Sequence, residues 1–83
     1  PVPAAAPKAK AGGAEERNAR KAVARIEKQL ARIAQEQAQL EKEMADAAQD
    51  HGRLSDLATR LGALSEQKDE LELEWLEAAA VLE

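Results

Sequence analysis

The stretch ARKAVARIEKQLARIAQEQAQLEKEMADAA, residues 19–48, determines the architecture of this chain of 83 residues. Its apolar positions recur at alternating spacings of four and three residues, which is the heptad pattern of a coiled-coil helix. After a break at residues 49–52, the same period resumes toward the end of the chain. Each half is therefore predicted to be one helix with a single apolar seam. The seam positions are Ala19, Val23, Ile26, Leu30, Ile33, Gln37, Leu40, Met44 and Ala47, then Leu54, Leu57, Leu61, Leu64, Lys68, Leu71, Trp75, Ala78 and Leu82.

A short break between two helices of similar length predicts that they pack side by side as an antiparallel hairpin. We expect helices at about residues 15–48 and 54–82, joined by a turn at about residues 49–53. A tight turn places Ala47 opposite Leu54. Every further layer then pairs an a position with a d position, as an antiparallel coiled coil requires. The predicted fold class is all-α, a two-helix antiparallel coiled-coil hairpin with a flexible N-terminal linker.

This register predicts the positions of several polar residues and of the single aromatic residue. It places Gln37 and Lys68 in neighbouring core layers at the middle of the seam, where polar residues cost stability and help to fix register. It also places Glu43 and Arg60 on facing flanks, where they could form an exposed ion pair. Trp75, the single aromatic residue, is predicted to pack in the core.

The composition lacks the residue types and motifs that most catalytic and metal sites need. Cysteine is absent, and His51, which we expect to be exposed in the turn, is the single histidine. Disulfides, cysteine nucleophiles and clustered zinc ligands are therefore excluded. The glycines at 12 and 13 are not followed by the Lys-Ser or Lys-Thr of a phosphate-binding loop. We expect no catalytic residue, no metal site and no cofactor within these residues.

The first residues differ from the rest of the chain. Residues 1–14 contain all three prolines and two adjacent glycines, and they show no apolar periodicity. This composition predicts a flexible linker that tethers a domain at residues 15–83 to a larger protein. No apolar run reaches the ~20 residues that span a bilayer, and the opening residues do not form a signal peptide. The sequence thus predicts a soluble, intracellular protein without a membrane partner.

Charge is divided unevenly along the chain, whose net charge is −4 at pH 7. Residues 1–32 carry eight basic and three acidic side chains, whereas residues 33–83 carry four basic and thirteen acidic ones. Within the first helix, the cations follow one another at spacings of four, three and four, which places them on the c and f positions, turned away from the second helix. These four residues are Lys21, Arg25, Lys28 and Arg32, with Arg17 and Arg20 adding charge near the start.

A row of cations along a rod matches the closely spaced charges of a phosphate backbone without any pocket. The same pattern is also compatible with a solvated coiled-coil face. From the residues alone, three functions stay open: nucleic-acid contact, association with another protein or a second copy, and a plain spacer.

Three segments resemble the C-terminal coiled-coil domain of ABC-F proteins, the tandem ATP-binding-cassette ATPases, in their actinobacterial form. They are ARIEKQLARI at 24–33, RLSDLATRLGAL at 53–64, and ELEWLEAAAVLE at 72–83, and the resemblance covers about residues 17–83. It implies a cytoplasmic parent ATPase whose catalytic sites lie upstream, so this module would not itself hydrolyse ATP.

The resemblance also implies partners, because some members of the family bind DNA through basic residues of this hairpin and others act on ribosomes. We therefore expect a monomeric hairpin that contacts DNA or ribosomal RNA through Arg17, Arg20, Lys21, Arg25, Lys28 and Arg32. The alternative is a protein-interaction or self-association module that docks on its own ATPase domains or on a partner.

Overall fold

The structure is a computed structural model that describes the backbone of residues 2–83 and the side chains of residues 13–83. It contains two helices, α1 at Val2–Asp46 and α2 at His51–Val81, joined by residues 47–50. The two helices pack against each other, and residues 2–83 contain no strand. The predicted all-α hairpin is therefore confirmed. No helix in the described part of the chain is long and apolar enough to cross a membrane.

The start of α1 differs from the sequence-based prediction. The helix begins at Val2, whereas the apolar pattern predicted a start near residue 15. Residues 1–12 make up most of the predicted linker at 1–14, and their side chains are outside the part of the chain that the structure describes. The linker therefore stays a prediction.

The turn lies earlier in the chain than predicted, because α1 ends at Asp46 rather than near residue 48 and α2 begins at His51 rather than near residue 54. Asp50 adopts an extended backbone, with φ −107° and ψ 95°, and its side chain accepts a hydrogen bond from the Arg53 amide at 3.1 Å. This N-cap satisfies one of the amides that a helix start leaves without a partner. His51 and Gly52, predicted to lie in the turn, consequently form the first turn of α2 and are exposed.

Burial along α1 follows the heptad with a simple alternation. Every d position is buried, and the a positions between them are half-buried. In α2 the buried residues are Leu57 and Leu71, which are also d positions. The buried d positions of α1 are Ala19, Ile26, Ile33, Leu40 and Ala47.

The core consists of two clusters that follow the predicted register. Near the open end of the hairpin, Ile26 and Ile33 pack with Leu71 and Trp75. Near the turn, the cluster is built on Leu40, Ala47 and Leu57, with Met44, Leu54 and Leu61 packed against it. Leu64 contacts both clusters and connects them.

The two polar residues predicted in the middle of the seam differ in burial. Gln37 is half-buried, as its predicted core position requires, but Lys68 is exposed, so the prediction of a core lysine is wrong. An unpaired ammonium is costly to bury, and the long lysine stem allows the charge to remain in water while the methylenes follow the helix surface.

One flank of the hairpin carries the ion pairs that join its helices. Arg53 bonds Glu43 at 3.3 Å near the turn, and Arg25 reaches Glu74 at 3.9 Å toward the open end. Within residues 13–83, the pair predicted between Glu43 and Arg60 does not form. These contacts are exposed, and each contributes about 0–1 kcal/mol.

Candidate nucleic-acid interface

The basic residues predicted to bind phosphate share one surface of α1. Lys21, Arg25, Lys28 and Arg32 are all exposed, and together with Ala24 and Gln29 they line a shallow groove. We call these four residues the basic stripe. Side chains three and four residues apart on a helix lie about 5–6 Å from each other, so the stripe is a continuous row of cations.

The c position of Arg25 predicted a side chain turned away from α2, but its guanidinium also reaches α2. Its Nη1 donates to Gln29 Oε1 at 3.1 Å, and its Nη2 lies 3.9 Å from Glu74 Oε2 on α2. Part of its charge is therefore balanced within the hairpin. Among the described residues, no ion pair involves Lys21, Lys28 or Arg32, so these three side chains present the uncompensated charge of the stripe.

Arg17 and Arg20 lie beside the stripe rather than in it. Both are exposed, and neither lines the groove. Arg20 pairs with Glu16 one turn earlier, at 3.7 Å, with 64% of its side chain exposed. Because such an exposed pair contributes about 0–1 kcal/mol, Arg20 could exchange Glu16 for a phosphate.

The chemistry open to this surface is electrostatic binding. The stripe sits on a rigid helix and faces solvent, which suits contact with an extended polyanion. Its side chains form no arrangement that reads base edges, so we expect contacts with phosphate rather than with sequence. No group of His, Asp or Glu side chains in the described part of the chain is placed to hold a metal ion.

A second groove, at the open end of the hairpin, was not predicted as a site. Glu27, Leu30, Glu72, Trp75 and Leu76 line it. Trp75 is half-buried against the core, as predicted, and its indole N–H donates to Glu27 Oε2 at 3.2 Å. The heptad could have predicted this groove, because it places Glu27 and Glu72 on facing e positions and Leu76 outside the seam.

Comparison with known proteins identifies the family. A family model described as the ABC transporter C-terminal domain matches residues 14–80, a range that contains the turn and nearly all of the described hairpin. The comparisons with curated proteins and with solved structures gave no match. The resemblance found in the sequence is thereby confirmed at the level of a C-terminal domain associated with ABC proteins. The chain belongs to the ABC transporter C-terminal domain family.

Proposed function

We propose that this hairpin is the C-terminal coiled-coil module of an ABC-F ATPase and that its basic stripe binds the phosphate backbone of DNA or ribosomal RNA. Family membership supports the association with an ABC protein, and the segments at 24–33, 53–64 and 72–83 support the ABC-F assignment by resemblance. In this proposal the module is a monomeric, non-catalytic arm in the cytoplasm, and ATP is hydrolysed by upstream cassettes.

The observation that carries the proposal is the grouping of four exposed cations in one groove on α1. Three of them, Lys21, Lys28 and Arg32, form no ion pair among residues 13–83. Exposed cations in a row release counterions from a polyanion when they bind, and this release drives association at low salt.

The acidic half of the chain restricts how the hairpin would bind. The exposed outer positions of α2 include Asp56, Glu66, Glu70 and Glu77, and a phosphate backbone repels them. The hairpin would therefore lie with α1 against the nucleic acid and α2 away from it. Long-range fields of this kind orient a protein during its approach to a charged partner.

The test is fluorescence anisotropy of labelled duplex DNA and of an RNA stem-loop, titrated with the whole chain at several salt concentrations. If four cations contact phosphates of duplex DNA, the logarithm of affinity should fall with the logarithm of salt at a slope of about −3 to −4. Comparing the two ligands would indicate which polymer is preferred.

The variant for this test replaces the uncompensated cations and leaves Arg25 in place, because Arg25 also holds α2 through Glu74. Replacing three cations by glutamine should reduce the slope on DNA to about −1. The control makes the same change of charge at exposed cations outside the stripe that bridge no helices. The test variant is Lys21→Gln, Lys28→Gln and Arg32→Gln, and the control is Lys42→Gln, Arg60→Gln and Lys68→Gln.

Equal loss of affinity in both variants would mean that net charge, not the basic stripe, governs binding. Absence of binding at low salt would overturn the proposal and favour the protein-interaction function. Sedimentation of the chain across concentrations tests the monomeric state, because a mass that remains at 8.9 kDa excludes self-association.

A further inference from the structure

The two flanks of the hairpin differ in how their charges are balanced. Ion pairs cross one flank, between Arg25 and Glu74 and between Glu43 and Arg53. On the other flank, near the open end, two carboxylates line the same groove from opposite helices. These are Glu27 of α1 and Glu72 of α2. We call the groove lined by Glu27, Leu30, Glu72, Trp75 and Leu76 the acidic groove.

No cation of the described chain balances the acidic groove. Residues 13–83 contain no ion pair to either Glu27 or Glu72. Lys68, one turn before Glu72, is exposed and forms no ion pair within that range, and Lys28 belongs to the basic stripe. Two like charges on facing positions repel each other, so a positive group placed between them would stabilise the flank.

Apolar side chains line the acidic groove together with the two carboxylates. Trp75 packs on the cluster of Ile26, Ile33 and Leu71. Its indole N–H donates to one oxygen of Glu27 at 3.2 Å, which holds that carboxylate in place at the edge of the groove. The second oxygen of Glu27 remains available as an acceptor. The groove thus combines a fixed aromatic ring with carboxylate acceptors.

Apolar surface also continues outside the groove. Leu76, which lines it, is 60% exposed, and Leu73, three residues earlier on the same helix, is 61% exposed. Neither position belongs to the seam that joins the helices. Large adjacent apolar side chains rimmed by charge are a common mark of a protein-interaction surface.

We propose that the acidic groove binds an arginine or lysine side chain carried by an apolar helical segment of a partner protein. The aliphatic stem of the cation lies on Leu30, Trp75 and Leu76, and its charged end lies between Glu27 and Glu72. Charge complementarity selects this occupant: the apolar walls accept the stem, the facing carboxylates accept the charge, and Trp75 adds a cation–π contact. The partner's apolar residues cover Leu73 and Leu76. This surface is separate from the basic stripe, and its function is additional to nucleic-acid binding.

Trp75 supplies the assay, because it is the single tryptophan of the chain and forms part of the groove. The probe is a synthetic amphipathic helical peptide with one central arginine on its leucine face and neutral polar residues elsewhere. Peptides with glutamine or glutamate in place of that arginine are the matched controls. We expect a saturable change in the fluorescence of Trp75 with the arginine peptide, and affinity about tenfold lower with glutamine, since one charge-assisted hydrogen bond is worth at least that factor.

The protein variants change charge without changing shape. Glu27→Gln combined with Glu72→Gln keeps an oxygen acceptor for the indole N–H and should reduce affinity for the arginine peptide about tenfold. Glu41→Gln combined with Glu66→Gln makes the same charge change at exposed positions outside the groove, and affinity should stay within about twofold of the parent. Circular dichroism of both variants verifies that the hairpin stays helical.

Several results would overturn this assignment. One is no saturable response up to about 1 mM arginine peptide. Others are equal affinity for the arginine and glutamine peptides, or equal losses in the two protein variants. A concentration-dependent dimer that the Glu27→Gln, Glu72→Gln variant abolishes would show that a second copy occupies the groove instead. Because the groove variant leaves the basic stripe intact, unchanged binding to DNA or RNA separates this inference from the proposed function.

Discussion

Replacing Ile26 tests the energetics of the hairpin most directly, because it is the most deeply buried large side chain described, at 1% exposure. It packs with Ile33 and Leu71 at the centre of the open-end cluster. Ile26→Val removes one buried methylene, worth about 0.8 kcal/mol of transfer free energy, and the cavity that remains brings the cost to about 0.5–1.5 kcal/mol. Ile26→Ala costs about 2–5 kcal/mol, which is comparable with the whole stability of about 3–5 kcal/mol expected for a core of this size.

The assay is thermal unfolding of the chain, followed by circular dichroism at the helical band. A loss of 1 kcal/mol shifts Tm by about 4–8 °C in a domain of 60–100 residues, so Ile26→Val should melt several degrees below the parent. Ile26→Ala should lower Tm roughly three times as far as Ile26→Val does.

Leu73→Ala is the matched control, because it removes a large apolar side chain that is 61% exposed, and it should change stability by less than about 0.5 kcal/mol. The reasoning is refuted if Ile26→Val melts at the parent temperature, or if Leu73→Ala destabilises the chain as much as Ile26→Ala does.

Three further changes test local features by the same thermal or urea unfolding measurement. Gly62→Ala should stabilise the chain by about 0.5–1 kcal/mol, because a Cβ there meets nothing within 4 Å and alanine loses less backbone conformational entropy than glycine when the helix forms. A lower Tm would contradict this. Asp50→Ala should cost about 1 kcal/mol through loss of the cap on Arg53, whereas Asp50→Asn should retain most of the parent stability. Glu43→Gln should cost less than about 1 kcal/mol, and the cost should fade with added salt, because its bond to Arg53 is exposed; an undiminished cost in high salt would exclude an electrostatic origin.

Much of the site and its scaffold follows from spacing alone. Residues such as Ile26 and Leu40 lie on the seam because a helix returns to the same face every seven residues. The pairing of Ile26 with Trp75 follows from the short turn, and both residues lie in one cluster. The grouping of Lys21, Lys28 and Arg32 in one groove likewise requires only the helical period.

Heptad spacing could not predict the partners of long charged side chains that have several opposite charges within reach. Arg25 occupies an outward position in the heptad, yet it bonds Gln29 and reaches Glu74 on the other helix. Glu43 pairs with Arg53 rather than with Arg60. Several partners lie within reach of such flexible chains, and the energy differences between them are below about 1 kcal/mol.

The heptad therefore determined which residues join the two helices, and thereby the hairpin and the basic stripe, because apolar burial depends on position along the helix alone. Packing in three dimensions decided the rest. It left Lys68 exposed at a core position and brought Glu27 beside Trp75. Both outcomes depend on how polar groups compete for water and for one another, and that competition is settled only when both helices are in contact.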